Sequence, residues 1–353
     1  MSARATQRAC LLAAVLLLLL TLSAPAAWGA AGVQAFLLAS APDSFADLQA
    51  HVGSIETVYP TYYECEPGGA IAGRDEPVVD AYARARRIPL LPRFSCQDGP
   101  TVHAILTEPA LRARTLAGLS ALARNPSYAG LSLDLENDGA LDREALTSFV
   151  GQLAGELHAA ARRLTVVVDG VIRDEPRRST GFYNDSALAA FADNVFVLAW
   201  GSHWAGSVSG PLAPLPWVRQ VAAYFASLPN HTRFVLAAPM YGLDWAQAPG
   251  GATAGAQAGQ AGSATVPEAT AYQYSGVAAL AHATGARPLR DRSADELTFS
   301  YTRAGISHRV WYMDARAIRD RLAAGRDRGL KVGIWRLGGE DQALWAPVLG
   351  HQL

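Results

Sequence analysis

Tyr128-Ala129-Gly130-Leu131-Ser132-Leu133-Asp134-Leu135-Glu136-Asn137 alternates strictly from Leu131 to Glu136. Successive side chains of a β-strand point to opposite faces. Leu131, Leu133 and Leu135 therefore share one face, and Ser132, Asp134 and Glu136 the other. A solvent-washed edge strand can also alternate, although edges usually carry Lys, Thr or mixed charge rather than an acidic column. A short strand with a leucine face against helices and two carboxyls near its carboxyl end is what a barrel active site requires. Both readings fit the stretch by itself.

Working outward, the amino terminus speaks to compartment. Arg4 and Arg8 precede an apolar run, Leu11 to Leu22, followed by Ser23-Ala24-Pro25-Ala26-Ala27. This order reads residues 1–31 as a secretory signal peptide cleaved near Ala26 or Ala31. The run is short beside the ~20 residues of a membrane span. A retained anchor is the alternative, and no later segment is long and apolar enough to cross a bilayer. The expectation is a secreted or periplasmic protein with no membrane span after the leader is removed. Cys10 lies before the apolar run, leaving Cys65 and Cys96. An even pair in an exported chain reads as a disulfide, with two independent buried thiols as the alternative. Each follows a strand-like run, so neighbouring parallel strands would bring both to one edge. No Cys/His cluster has metal-ligand spacing, and neither a metal nor an organic cofactor is expected.

Half of the 353 residues are hydrophobic and 17% are charged, enough for a large buried core. Without Arg4 and Arg8 the formal charge moves from −1 to −3, and no basic patch offers itself to nucleic acid. Strand-like runs fall at Val33–Leu38, Ser54–Tyr59, Pro89–Phe94, Gly130–Glu136, Leu164–Val168, Val195–Trp200, Arg233–Ala238 and Lys331–Trp335. Amphipathic helices fall between many of them, most clearly over Asp142–Arg163 and Ala315–Arg328. Eight such strands predict a (β/α)₈ barrel over residues 32–353, with an open doubly wound sheet as the runner-up. No Gly-x-Gly-x-x-Gly follows the first strand, which removes the main support for dinucleotide binding. Residues 246–314 interrupt the rhythm as an insertion between the seventh strand and the last helix. They comprise a small-residue loop over 247–265, a helix near Ser275–Ala283 and a hairpin turning at 303–307.

Four segments in order resemble glycoside hydrolase family 18, the chitinase-like barrels, and in particular its spore-germination and peptidoglycan-processing branch. Residues 129–136 are similar to the fourth-strand signature Asp-Gly-x-Asp-x-Asp-x-Glu. Leu198-Ala199-Trp200-Gly201-Ser202-His203-Trp204 is similar to the sixth-strand Met-x-Tyr-Asp segment and its His-Trp continuation. Ala238-Pro239-Met240-Tyr241-Gly242-Leu243-Asp244-Trp245 is similar to the seventh-strand Pro-x-Tyr-Gly-x-x-Trp. Residues 332–341, around Trp335, resemble the eighth-strand tryptophan segment.

The resemblance implies a retaining hydrolase of β-linked N-acetylglucosamine glycans, chitin-like or from peptidoglycan, working as a monomer. In this family the substrate's own acetamide, rather than an enzyme carboxylate, attacks the anomeric carbon. Glu136 then matches the acid/base and Asp134 the carboxylate beside it, close enough to couple so that one of them keeps its proton near neutrality. Tyr241 and Trp335 match residues lining the sugar site, with Trp335 as its aromatic floor. Trp200, His203 and Trp204 fall in the matching sixth-strand segment. The departures are equally specific. Ala129 replaces the first Asp of the signature, and Ser132, at the second, is expected to hydrogen-bond Asp134. Trp200-Gly201 stands where Tyr-Asp would hold the acetamide, a role that Asp244 or Tyr241 is positioned in sequence to take over. Two alternatives follow from that loss. One is an inactive sugar-binding relative. The other is a barrel hydrolase of glycans lacking an acetamide, with a second carboxylate such as Asp244 as nucleophile.

Overall fold

The computed structural model describes residues 32–346 apart from 138–139, 177–178 and 248–267. The predicted signal peptide and most of the predicted small-residue loop lie outside the described residues.

In chain order the strands are β1 (Val33–Leu37), β2 (Ile55–Pro60), β3 (Tyr63–Cys65), β4 (Ile71–Gly73), β5 (Arg93–Cys96), β6 (Gly130–Leu135), β7 (Arg163–Asp169) and β8 (Asn194–Leu198). They continue as β9 (Phe234–Pro239), β10 (Tyr241–Ala246), β11 (Thr270–Gln273), β12 (Leu289–Asp291), β13 (Glu296–Arg303), β14 (Ile306–Tyr312) and β15 (Lys331–Trp335). The main helices are α1 (Pro42–His51), α2 (Pro77–Arg86), α3 (Gly99–Thr107), α4 (Pro109–Ala123), α5 (Arg143–Ala159), α6 (Asp185–Phe191), α7 (Leu215–Ser227), α8 (Tyr274–Thr284) and α9 (Ala315–Arg326).

Parallel pairing runs in the order β2-β1-β15-β9-β8-β7-β6-β5. The ring closes where Val58 of β2 bridges Leu90, with Val58 N donating to Pro89 O and Leu91 N to Val58 O at 3.0 Å each. These eight strands are the eight read from the sequence. Barrel strands bury both faces, which is why β1 and β9 are buried along their whole length. Phe36, Tyr59, Leu91, Val167, Phe196 and Val235 fill the interior. A Cβ at Gly333 would sit 2.5 Å from the Phe196 ring, so the glycine makes room for it. The Tyr59 hydroxyl, buried among these groups, is satisfied by Gln34 Oε1 at 2.5 Å and Thr165 Oγ1 at 3.2 Å. Outside, α5 packs Leu146, Phe149, Val150, Leu153 and Leu157 onto the barrel.

At one edge β3 pairs with β5, Glu64 opposite Ser95, which carries Cys65 next to Cys96. The two form a disulfide with a Cα–Cα distance of 5.1 Å.

Between β9 and α9 lies a five-stranded antiparallel sheet in the order β11-β10-β14-β13-β12. It draws in Tyr241–Ala246, which sequence reading kept with the seventh strand. The β13–β14 turn closes on Ala304 and Gly305, both with positive φ, as a two-residue hairpin connection requires. Glu296, fully buried in this sheet, accepts from Leu212 N (2.9 Å) and Ala213 N (2.7 Å) and lies 3.6 Å from Arg321. The sheet is thereby tied to the loop after β8 and to α9.

Candidate active site

Parallel neighbours in register point the same way, so β5 and β6 present two polar columns side by side. Arg93 pairs with Ser132 and Ser95 with Asp134. Gln97 and Glu136, just past the strand ends, extend the columns, and Gln97 Nε2 donates to Glu136 Oε1 at 2.8 Å. Arg93 Nε donates to Asp134 Oδ2 at 2.5 Å, and its Nη2 donates to Ser95 Oγ at 2.7 Å. The guanidinium also lies 5.1 Å from the Trp335 ring centroid, a cation–π contact. Arg93 and Asp134 are both buried. A bare carboxylate there would cost several kcal/mol, on the order of the penalties for unpaired buried ions, and the guanidinium removes that cost.

This arrangement corrects one expectation. Ser132 does not hydrogen-bond Asp134. Ser132 Oγ and Asp134 Oδ1 are both buried without a hydrogen-bond partner among the described residues. Asp134 instead turns across to β5, because a charged donor outcompetes a hydroxyl. Its charge is thus met by Arg93 and not left to act on Glu136 alone.

Tyr183, buried, donates to Leu135 O at 3.0 Å and fixes the strand end that carries Glu136. Burial pushes its phenol well above the ordinary range, and the charges of Asp169, Asp134 and Glu136 add to that push. Asp169 ends β7, the strand beside β6, and is a carboxylate that sequence reading passed over.

These side chains line adjoining cavities near the carboxyl ends of the strands. The central one, of about 180 Å³, is lined by Phe36, Arg93, Asp134, Glu136, Trp200 and Trp335. Gln97 and Glu136 also line a flanking cavity of about 650 Å³, together with His103, Asn137 and Asp142. Trp335 leads to a second flank of about 430 Å³, lined by Tyr241, Tyr272, Gln273 and Arg336. Apolar and aromatic walls with a few convergent polar groups are the usual makings of a ligand site.

Of the residues singled out from sequence, Glu136, Asp134, Trp200 and Trp335 meet at the central cavity, and Tyr241 reaches the flank. Asp244 does not take the place of the missing Tyr-Asp pair. Alternation along β10 sends Leu243 and Trp245 to one face of the second sheet and Asp244 to the other. There Asp244 is buried, accepting from the Tyr301 hydroxyl (2.6 Å) and lying 3.1 Å from His308 Nδ1. His203 Nδ1 lies 2.8 Å from Pro211 O within the loop after β8, and neither His203 nor Trp204 lines the three cavities. Trp204 is half exposed. Gly201 has φ +97 and open space where a side chain would stand, so the backbone here suits glycine and not aspartate. Glu340 is buried: it accepts from Trp345 Nε1 at 2.7 Å, and burial beside Asp47 pushes its carboxyl up to about 8. Arg93, Gln97, His103 and Asn137 were not anticipated. Arg93-Phe94-Ser95-Cys96-Gln97 does alternate, so the β5 column was open to the same reading as β6.

Among the described residues no group of three His, Cys, Asp or Glu side chains gathers as metal ligands, and no helix is long and apolar enough to cross a membrane.

Comparison with known proteins accords with this geometry. The chain is 26% identical over 284 residues to YdhD of Bacillus subtilis, a candidate sporulation-specific glycosylase, covering 78% of this chain and 64% of that protein. It thus spans a little under two thirds of that relative's length. A chitinase from Chromobacterium violaceum superposes with a TM-score of 0.76 at 24% identity, covering 90% of this chain and 98% of the other. The spore cortex-lytic enzyme SleL of Bacillus megaterium superposes at 0.72 with 17% identity, over 89% of this chain and 72% of that one. The profile of the glycosyl hydrolases family 18 matches residues 98–340, from the turn after β5 to the loop after β15. Matched over more than half its length and built on the same barrel, the chain belongs to glycosyl hydrolases family 18.

Proposed function

We propose that the protein is an exported retaining glycosidase that cleaves β-linked N-acetylglucosamine glycans with assistance from the substrate's acetamide. The observation that carries this reading is the convergence of Glu136, Asp134 and Trp335 on one small cavity. A sugar stacked on the Trp335 indole places its anomeric carbon near Glu136 and its acetamide over Asp134. Asp134 Oδ1, buried and without a partner among the described residues, is an acceptor waiting for the acetamide N–H. Arg93 fixes the other oxygen and so the direction of Oδ1. This offers a route around the absent Tyr-Asp pair.

In the first step Glu136, as the acid, gives its proton to the glycosidic oxygen while the acetamide oxygen closes on C1. The leaving sugar departs and a cyclic oxazolinium forms. In the second, the Glu136 carboxylate takes a proton from water as the water oxygen attacks C1 and reopens the ring with net retention. The Gln97 hydrogen bond holds the Glu136 carboxyl in place for both steps. Export rests on the leader sequence and on the Cys65–Cys96 disulfide, a bond that persists in oxidising compartments.

The test is hydrolysis of fluorogenic N-acetylglucosamine oligomers by the mature protein and by Glu136→Gln. Turnover lost in the variant supports the reading. Equal turnover in both contradicts it. Binding without turnover in either would mark a sugar-binding relative, the reading favoured by Trp200-Gly201.

A further inference from the structure

The 650 Å³ flank shares Glu136 and Gln97 with the central cavity, and Trp335 is not among the residues that line it. If Glu136 protonates the leaving oxygen, as proposed above, the departing sugar must occupy this flank. Its wall is built around a histidine. His103, on α3, has its Nδ1 2.9 Å from both oxygens of Asp142. Asn137, the residue after Glu136, donates from Nδ2 to Asp142 Oδ2 at 2.9 Å and braces the carboxylate from the other side. Asp142 directly precedes α5, where an acidic side chain would ordinarily cap the helix at a gain of about 1 kcal/mol. It makes no such cap bond and turns to His103 instead. A Cβ on Gly99 would come within 3.1 Å of Asn137 Oδ1, so the first residue of α3 leaves the space that Asn137 occupies.

A carboxylate accepts, so Asp142 holds the His103 Nδ1–H and orients the ring so that Nε2 is the nitrogen left to meet a ligand. The His103 side chain is more than half exposed, and its Nε2 has no partner among the described residues. We infer that His103 forms the leaving-group subsite, hydrogen-bonding a hydroxyl of the departing sugar through Nε2.

The experiment compares His103→Ala, His103→Gln and the unaltered protein on two substrates. One is the N-acetylglucosamine pentamer. The other is an aryl glycoside whose leaving group is a phenol with no sugar hydroxyls. The expected result is an increase in KM of about tenfold, one hydrogen bond's worth, for the pentamer with His103→Ala. The aryl glycoside should be cleaved at the original rate, and Gln, whose amide can also hydrogen-bond a hydroxyl, should restore part of the loss. Equal losses on both substrates, or none on either, would overturn the subsite while leaving Glu136 as acid intact. Should the unaltered protein turn over neither substrate, the hydrolase reading fails. Calorimetry with the pentamer then decides the subsite by itself: weaker binding by His103→Ala supports it, and unchanged or absent binding overturns it.

Discussion

Asp134 and Asp244 stand at matching places in sequence, each in an alternating strand flanked by apolar neighbours, and their fates are opposite. Asp134 faces the barrel axis and lines the central cavity, with one oxygen held by Arg93 and the other without a partner among the described residues. Asp244 faces the interior of the second sheet, where Tyr301 and His308 take up both oxygens and Tyr301 stacks on His308 at 4.5 Å. A carboxylate with one spare oxygen at a cavity can act on a substrate, and one with both oxygens engaged inside a sheet can only hold the sheet together. The difference lies in which face of which sheet is covered, and that is decided by pairing rather than by the strand's own residues.

The comparison can be broken most forcefully at Glu136. Glu136→Gln should lower kcat by about 10²–10⁴-fold, the usual share of a general acid/base, with the thermal midpoint unmoved. A surviving rate would mean that the barrel carboxylates are no more catalytic than Asp244. Next in size is Arg93→Met, which leaves Asp134 buried without its cation. Denaturant titration should show a loss of about 3–5 kcal/mol, as for other broken buried pairs, and turnover should fall with it. Asp244→Asn sharpens the contrast. Stability should drop by about 1–3 kcal/mol, because Tyr301 and His308 lose a charged acceptor, while kcat/KM stays unchanged. A fall in kcat/KM at full stability would return Asp244 to the site.

The last test concerns a third carboxyl. Glu340 titrates from 4.5 in an open chain to about 8 in the folded one. Between those values the folded protein binds the extra proton, so stability falls as pH rises through that window. Glu340→Gln should flatten this part of the pH–stability curve. An unaltered slope would mean that the proton resides elsewhere.

Much of the barrel was legible because parallel strands buried on both faces write themselves as apolar runs. Val195–Trp200 and Lys331–Trp335 needed no partner to be seen. Glu136, Asp134, Trp200 and Trp335 were legible for the same reason, each sitting at or near the carboxyl end of such a run. Arg93 and Gln97 were not, since they join Asp134 and Glu136 only through the β5–β6 pairing, some forty positions away in sequence. The apolar residues before Arg93 also made Pro89–Phe94 look like a plain core strand. His103 escaped because a helical histidine has no meaning until Asp142 and Asn137 are brought beside it. Tyr241–Ala246 is no strand in the apolar-run reading, which ends the seventh strand at Ala238, because its partners β11 and β14 lie far along the chain in the second sheet. Local pattern specifies elements, while the contacts that give a carboxylate its role are tertiary.

In the mechanism proposed above, the substrate's acetamide, held at Asp134, is the nucleophile while Glu136 moves the proton. The decisive measurement is the rate of aryl glycosides whose N-acetyl group is replaced by its mono-, di- and trifluoroacetyl analogues. Fluorine withdraws electrons from the amide oxygen, so participation predicts kcat/KM falling steeply with each added fluorine. A flat series, with the anomeric configuration still retained, would contradict the claim and assign the attack to an enzyme carboxylate.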